Sequence, residues 1–492
     1  MKVYNTLTRR KEDFVPLQAG KVGFYICGPT VYNDIHIGNA RTFLSFDVIR
    51  RYLEYSGFDV TYVQNLTDVD DKIINRANEE GRTAAEVAAQ YSQAFIEIMQ
   101  VLGVEEPSVR PRATEEIAAM IALIERLIDS EHAYVVEGDV YFAVRSFPRY
   151  GCLSGRNIDE LKAGARVEVG EKKRDPLDFA LWKAAKPGEP SWDSPWGQGR
   201  PGWHIECSAM SGRYLGSPFD IHAGGEDLIF PHHENEIAQS EACAPGGFAR
   251  YWLHGGMLTI DKEKMSKSEG NFLLLKDVLE YVRPQALRLL MLQTHYRSPF
   301  DYSPERLDEA TAALERIEGA LGHVRWELEA SQDEPVIQAP LEVVENARRH
   351  FTEYMDDDFN TAGAVAVVFE LISTINQILA QPNRDAAGRA SLLQLSSTAT
   401  ELLAVLGIGI HKSHNLEEDI SREEAQALVA LAGQLAVYQG ADAAEALQAL
   451  VAARTDARAA KNWALADAIR DGLAVSGLAI EDTPQGTRVM HE

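Results

Sequence analysis

Tyr25-Ile26-Cys27-Gly28-Pro29-Thr30-Val31-Tyr32-Asn33-Asp34-Ile35-His36-Ile37-Gly38-Asn39 is the stretch that decides how this chain is read. The apolar run Val22 to Ile26 reads as a buried strand, and the polar residues after Cys27 as a turn. From Gly38 to Tyr55 the residues Phe43, Phe46, Ile49 and Leu53 recur at helical spacing, and Gly57 stands where a left-handed C-terminal cap belongs. Phe58 to Val63 is a second strand, followed by the polar Gln64-Asn65-Leu66-Thr67-Asp68. Strand, helix and strand within about 40 residues make a βαβ unit and hence a parallel sheet. Ligands in such sheets bind beyond the carboxyl ends of the strands. Both the Cys27 turn and the Asn65–Asp68 turn lie there.

Working outward, 492 residues exceed one hydrophobic core and imply several domains. A hydrophobic share of 45% with 25% charged residues is that of an ordinary soluble globular protein. Met1-Lys2-Val3-Tyr4-Asn5 has no apolar signal core, and no run approaches the roughly 18 apolar residues of a bilayer span. A cytoplasmic protein without a membrane segment is expected. The net charge of -26 lacks the basic footprint of a nucleic-acid binder, but a local basic stripe suffices for binding, so composition leaves the partner open. Cys27, Cys152, Cys207 and Cys243 are widely separated, as buried, metal-bound or catalytic thiols of a cytosolic chain are.

Thr83-Ala84-Ala85-Glu86 is a capping box opening a helix to about Leu102, and Arg110-Pro111-Arg112 breaks it. Glu115 to Ile128 is a further amphipathic helix. Ala133 to Val144 reads as a hairpin around Glu137-Gly138-Asp139. From Gly151 to Arg200 the chain is rich in Gly, Pro and charge, and 121–200 reads as an insertion splitting a sheet domain into 1–120 and 201–270. The sheet resumes near Trp203 and at Phe219 to Ala223. Pro231 to Ala242 reads as a helix with Pro231 near its first turn. Leu253 to Ile260 is strand-like and runs into a polar loop, 261–271. Ser303-Pro304 opens a helix within 271–330, and 331–340 reads as a linker. Beyond it come helices at 341–354, 361–380, 387–406 and 421–438, the last behind a Ser421…Glu424 capping box, and a small strand pair closes Gly477 to Arg488.

Several constellations could carry chemistry. Cys27, Cys207, His232 and Glu236 are a thiolate pair, an imidazole and a carboxylate, and His232 and Glu236 stand four apart on one helix face. Such a set suits zinc, with ligand distances of roughly 2.0–2.3 Å. Lone cysteines are more often packing, and this spacing matches no local zinc motif, so the pattern alone leaves both readings open. His36-Ile37-Gly38-Asn39 places free N–H groups and a positive dipole end at a helix entry, which suits a phosphate, though for the tetrapeptide alone a helix-capping histidine and asparagine is the commoner reading. Lys264-Met265-Ser266-Lys267-Ser268-Glu269-Gly270-Asn271 reads as a polyphosphate clamp or as a solvated loop. In Phe219-Asp220-Ile221-His222-Ala223-Gly224-Gly225-Glu226-Asp227 the glycines leave room for a ligand, and Asp227 could hold an ammonium group; a structural turn is the alternative.

His-Ile-Gly-Asn followed more than 220 residues later by Lys-Met-Ser-Lys-Ser is similar to the paired signature of class I aminoacyl-tRNA synthetases. Gly202-Trp203-His204-Ile205-Glu206-Cys207-Ser208-Ala209-Met210, Phe230-Pro231-His232-His233-Glu234-Asn235-Glu236, Asn5-Thr6-Leu7-Thr8-Arg9 and Leu478 to Arg488 resemble the cysteinyl-tRNA synthetase family. The resemblance implies an α/β fold: a Rossmann-like parallel-sheet catalytic domain with a small insertion, a stem-contact region at 271–330, an all-α bundle of DALR type at 341–410 and an anticodon-binding domain at 421–492. It implies a cytoplasmic monomer using ATP with magnesium, L-cysteine and tRNA(Cys), and one zinc ion on Cys27, Cys207, His232 and Glu236. ATP would be held by His36, Gly38, Asn39, Lys264, Ser266 and Lys267, of which His36, Asn39, Lys264 and Lys267 stabilise the transition state. The cysteine pocket would use Gly28, Thr30, Thr67, Trp203 and Asp227, with His204 and His222 nearby. Arg458, Trp463, Asp467 and Asp482 match anticodon-reading positions.

The chain departs from the commonest form of the family in two places. Asn39 replaces the second histidine of the first signature, keeping a donor without a charge, and Glu269 replaces a leucine after the second. Zinc would separate cysteine from serine where a hydrophobic pocket cannot, so an editing domain is unnecessary, which fits the short insertion. A paralogous cysteine:amino-sugar ligase shares the activating core but lacks the tail at 421–492. A non-catalytic zinc-binding or redox-sensing protein would lack the lysine loop or His36. Some enzymes resembling this one also make cysteine persulfide with pyridoxal phosphate, for which Lys72 is the candidate lysine.

Overall fold

The computed structural model describes residues 1–157, 172–244, 246–260, 263–264, 273–329, 341–381, 385–409, 422–483 and 486–491. An opening hairpin, β1 (Lys2–Asn5) and β2 (Arg10–Asp13), precedes β3 (Lys21–Ile26), α1 (Ile37–Tyr55) and β4 (Asp59–Gln64), the βαβ unit expected from the sequence. α2 (Asp71–Glu80) and α3 (Ala84–Val101) follow, the latter behind the Thr83/Glu86 capping box. After α4 (Ile117–Asp129), strands β5 (Ala133–Val136), β6 (Asp139–Phe142), β7 (Phe179–Ala184) and β8 (Gly199–Pro201) form a separate antiparallel sheet. Its first hairpin turns at Glu137 and Gly138, both at positive φ, as a tight two-residue turn requires.

The chain returns to the central sheet through β9 (Phe219–Gly225) and β10 (Ala249–Gly255). The sheet is fully parallel in the order β10-β9-β3-β4, so the carboxyl ends of all four strands face one way. Trp203, expected in this sheet, instead opens a helix, Trp203–Leu215. That helix is buried on nearly every side from Ile205 to Ser211, which erases the amphipathic period that marks a surface helix. The helix expected from Pro231 is present: Phe230 is extended, a wide helical turn takes in Pro231 to His233, and the regular α-helix runs from Glu234 to Cys243. The single strand expected over Leu253 to Ile260 is two: β10 ends at Gly255, and β11 (Leu258–Ile260) starts a second small sheet with β12 (Glu263–Lys264) and β13 (Phe300–Tyr302).

One carboxylate fastens the insertion to the core. Glu234 is fully buried and accepts the backbone N–H groups of Gly151 at 2.9 Å and Ser154 at 2.8 Å, while Tyr150 donates to the neighbouring Asn235 at 2.5 Å. A buried carboxylate is tolerated only when donors replace its water, and here the loop backbone supplies them.

The chain divides into two compact units, Met1–Glu315 with Asn346–Phe369 and Glu401–Gly409, and Arg316–Glu345 with Glu370–Thr400 and Ile410–Glu492. Helices Pro304–Glu329, Glu342–Asp356, Thr361–Leu379 and Ala386–Val405 lie where the sequence pattern places helices. Among the described residues one helix, Thr361–Leu379, is long and apolar enough to cross a membrane by length and composition, with a mean hydropathy of 1.6. Its apolar run is interrupted by Glu370, Ser373, Thr374, Asn376 and Gln377. Ala364, Val368, Leu371, Ile372 and Ile375 of this helix are buried, as on the inward stripe of a core helix. Near the C-terminus, helices Arg422–Leu435, Ala443–Ala459 and Trp463–Val475 pack with the hairpin β14 (Leu478–Thr483) and β15 (Gly486–His491) around Leu428, Leu450, Ile469 and Leu473. The linker 331–340 and Ser421 lie outside the described residues.

Candidate functional site

β3 delivers Cys27 to the carboxyl edge of the sheet, where its N–H donates to Ala223 of β9 at 3.1 Å. The turn beyond is joined backbone to backbone with the turn after β4: Val31 donates to Thr67, and Thr67 to Pro29, each at 3.1 Å. Gly28 is required at this seam, because a Cβ there would stand 1.7 Å from the carbonyl oxygen of Asn65. Its N–H donates to the Asn65 side chain at 2.8 Å. The two candidate loops are thus one surface.

Cys207 comes from the Trp203–Leu215 helix, His232 from the turn leading into Glu234–Cys243, and Glu236 from that helix itself. Together with Cys27 these four are buried, with ligand atoms all within 4.8 Å of one another. The Cys27 and Cys207 sulfurs are 3.5 Å apart, and His232 Nε2 is 3.2 Å from Glu236 Oε1. Burial, then the adjacent Cys207 thiol, pushes the Cys27 thiol well above its ordinary pKa, so only a cation would bring it to thiolate. Burial, followed by His204 and His222, holds His232 well below the usual histidine value, leaving it neutral as a metal ligand must be. Two sulfurs, one nitrogen and one oxygen in a buried cluster fit zinc.

Sequence reasoning missed part of this cluster. His233 Nε2 lies 3.3 Å from Cys27 Sγ, and Cys27, His222, His233 and Glu236 form a second grouping within the same 4.8 Å. His222 Nε2 meets Glu236 Oε2 at 2.8 Å, and His233 Nδ1 meets His254 Nε2 at 2.8 Å. His254 Nδ1 in turn meets Thr6 Oγ1 at 2.8 Å. The neighbouring pair His232-His233 was a visible signal for His233; His254 is placed by its strand register opposite Gly224 and had none.

Around the cluster, Trp203 stacks on His232 with ring centres 4.3 Å apart. His204 Nδ1 stands 2.9 Å from His232 Nδ1. Thr67 donates to Glu206 at 2.7 Å, and burial pushes that carboxyl well above its ordinary range. Asp227 folds over Gly225, whose added Cβ would stand 2.5 Å from Asp227 Oδ1. A cavity of about 550 Å³ opens beside Trp203, lined among others by Asp70, Lys183, Lys186 and Arg200.

At the far end of the turn His36 caps α1 reciprocally with Asn39. The Asn39 N–H donates to His36 Nδ1 at 3.3 Å, and the His36 N–H to Asn39 Oδ1 at 3.2 Å. The capping reading is therefore correct, and it is compatible with phosphate binding. A neutral ring that accepts through Nδ1 carries its proton on Nε2. The segment returning from the lysine loop lies against this turn: Ile37 donates to Leu273 at 3.1 Å, Leu275 to Ile35 at 2.9 Å, and Lys276 pairs with Asp34 at 2.6 Å. Lys264 lies on β12; its side chain, Ser266, Lys267 and Glu269 lie outside the described residues. Lys72 Nζ stands 5.4 Å from the centre of the Tyr32 ring, in the same turn.

In the C-terminal helices Arg458 ends Ala443–Ala459, and Trp463 begins the next helix behind its Asn462 cap, with 57% of its surface exposed. Asp467 pairs with Arg470 at 3.1 Å. Asp482 lies on β14, its side chain outside the described residues.

Comparison with known proteins draws these regions together. The model of the tRNA synthetases class I (C) catalytic domain matches residues 13–312, the DALR domain 350–411, and the cysteinyl-tRNA ligase anticodon binding domain 441–489. A cysteine–tRNA ligase of Trichlorobacter lovleyi is 50% identical over 494 residues, covering 99% of both chains. One from Geobacillus thermodenitrificans is 50% identical over 99% of this chain and 98% of its own. Among solved structures, a methionyl-tRNA synthetase of Mycobacterium tuberculosis bound by methionyl-adenylate superposes with a TM-score of 0.58 at 14% identity, covering 78% of this chain and 92% of that one. A LeuRS–tRNA complex of Agrobacterium radiobacter gives 0.58 at 13% identity over 81% and 85%. These distant matches establish the class I fold. Identity of one residue in two along 99% of the chain says more than a shared fold, and the chain belongs to the cysteine–tRNA ligase family.

Proposed function

We propose that this chain activates L-cysteine with ATP and transfers it to the 3′ end of tRNA(Cys), with Cys27, Cys207, His232 and Glu236 holding a zinc ion that selects the substrate thiol. The observation that carries the reading is the turn between β3 and α1, which bears Cys27 at one end and the His36/Asn39 pair at the other. Amino-acid selection and phosphate activation then share one short rigid element. Of the two groupings around Glu236, the one with two sulfurs suits zinc better, and His222 serves as the outer partner orienting the carboxylate. When bound, zinc supplies a soft acceptor that takes a thiolate far more readily than a hydroxyl.

In the first step the cysteine carboxylate attacks the α-phosphorus of ATP, which enters with Mg²⁺, and pyrophosphate leaves. No enzyme nucleophile is needed; the site must hold the reactants in line and compensate charge on the phosphate. Gly28 lets backbone approach the amino acid, Thr30, Thr67 and Trp203 wall the pocket, and Asp227 holds the ammonium group. His36 donates from Nε2, Asn39 fixes the His36 ring, and Gly38 admits the phosphates at the helix entry. Lys264, Ser266 and Lys267 bind the polyphosphate. In the second step a hydroxyl of the terminal ribose attacks the acyl carbon and AMP leaves. The cavity beside Trp203, with Lys183, Lys186 and Arg200 on its wall, has room for that terminal nucleotide.

Residues 1–120 with 201–270 form the catalytic domain and 121–200 its insertion. Residues 271–330 contact the tRNA stem, 341–410 form the bundle, and Arg458, Trp463, Asp467 and Asp482 in 421–492 read the anticodon. The enzyme acts as a cytoplasmic monomer. The test is charging of a cysteine tRNA transcript by the zinc-loaded full chain, with an amino sugar as competing acceptor. Cysteinyl-tRNA is expected. Coupling of cysteine to the amino sugar without charging would mean that the related amino-sugar ligase is the better description.

A further inference from the structure

Arg41 sits two residues beyond Asn39 on α1, and only 2% of its surface is exposed. Its guanidinium donates to four backbone carbonyls: Gly256 at 2.8 Å, Met257 at 2.9 Å, His295 at 3.2 Å and Ser298 at 2.5 Å. These carbonyls belong to two chain segments. Gly256 and Met257 lead directly into β11, and His295 and Ser298 lead into β13, the parallel neighbour of β11. Phe300 donates to Met257 and Gly256 to Tyr296, so the two segments are also zipped to each other. An added Cβ at Gly256 would stand 2.5 Å from the Arg297 carbonyl oxygen, so the approach is as close as a glycine allows. β12, which carries Lys264, pairs with β11, with Lys264 opposite Thr259.

A buried cation that takes four carbonyls from two segments is more than a local cap. The planar fork fixes both segments at once, whereas an ammonium holds its partners as a point charge. The other end of the same excursion is also tied to the α1 entry, through Ile37 to Leu273, Leu275 to Ile35, and Lys276 to Asp34. Both ends of the chain segment that bears the second signature are therefore referenced to the turn that bears the first.

We infer that Arg41 is a positioning residue for the activation step, setting the strand pair that carries Lys264 against His36 and Asn39. The inference rests on the reading that Lys264 and His36 act on ATP. Class I chemistry needs its two phosphate-binding signatures at a fixed separation, and small misplacements are costly in rate.

The experiment is cysteine-dependent ATP–pyrophosphate exchange on the full chain for wild type, Arg41→Lys, Lys264→Ala and the double variant, with zinc content and Tm alongside. Arg41→Lys is expected to lower kcat by roughly ten- to a hundredfold while KM for cysteine stays within about twofold. In the Lys264→Ala background the same change should cost less than about threefold, because the group it positions is gone. An equal factor in both backgrounds, or a loss that follows zinc content or KM for cysteine, would overturn the inference and make Arg41 a fold element only. Wild-type exchange by Lys264→Ala would overturn the reading of Lys264 and the inference with it. If Arg41→Lys does not fold, Lys276→Ala replaces it: this half-exposed residue anchors the exit of the segment, and its loss should show the same non-additivity with Lys264→Ala at a smaller factor. Additivity there overturns the inference equally.

Discussion

Cys27, Cys207, His232 and Glu236 are each at most 5% exposed, whereas Trp463 in the C-terminal helices leaves 57% of its surface open. On the function proposed above, the two regions face different recognition tasks. Telling a sulfur from an oxygen in otherwise equal molecules demands a dry site whose donors are already satisfied, because any water would blunt the difference. The cluster meets that demand through His222 on Glu236 and Trp203 on His232. Reading an unstacked base demands the opposite, a rigid aromatic face presented to solvent. Trp463 is held by its place at a capped helix start and is otherwise open.

The sharpest way to break this contrast is Cys207→Ser. The serine oxygen is a far poorer zinc donor, so bound zinc and cysteine-dependent exchange should fall more than about a hundredfold, beyond the 10–100-fold typical of outer-sphere changes. Metal analysis beside the exchange rate checks it; a variant that keeps both would remove the zinc reading.

A buried charge on α1 gives the next effect. Asp47 of α1 is buried against Arg288, with Arg51 2.8 Å away. Asp47→Asn should destabilise the fold by about 3–5 kcal/mol, since Arg288 would be left without its counter-charge. Burial raises the Asp47 carboxyl, but Arg288 and Arg51 outweigh it and hold its pKa below the ordinary value. The contribution is thus present above the ordinary carboxylate range and lost as pH falls through the depressed value, so wild type and variant should converge only in acid. Denaturant unfolding across pH reads this; a gap that widens in acid would refute the sign.

The smallest effect falls at the exposed end. Trp463→Ala should lower charging by the equivalent of about 1–3 kcal/mol, the cost of one lost base stack, with pyrophosphate exchange unchanged. If exchange fell in step with charging, the separation between a buried selecting site and an exposed reading site would not hold.

The sequence pattern carried some of this directly. α1 was legible because its apolar face repeats at 3.6 residues, and the β3–α1–β4 unit followed from it. His232 and Glu236 were legible as a helical i, i+4 pair. Trp203 was misplaced because the small and polar residues at the middle of its helix, Glu206, Ser208, Ser211 and Gly212, hide an apolar period. The strand break at Gly256 answers to Arg41, a partner 215 residues away, which no local window registers. His254 and Glu234 were silent for the same reason, since strand register and loop anchoring are set by tertiary contacts. Asn39, a puzzle as a departure from histidine, gains a reason in its reciprocal cap with His36.

Glu234 bears on how far this enzyme is modular. The insertion looks like a cassette that could be trimmed or exchanged to build a smaller ligase. Yet the loop Gly151 to Ser154 is what solvates a carboxylate one residue from His233 and two from His232 and Glu236. Excising the cassette would strand that carboxylate inside the core beside the Cys27, Cys207, His232 and Glu236 cluster. A minimised version would have to neutralise position 234 in the same step, and grafts between relatives would have to carry this loop and this helix as a single unit.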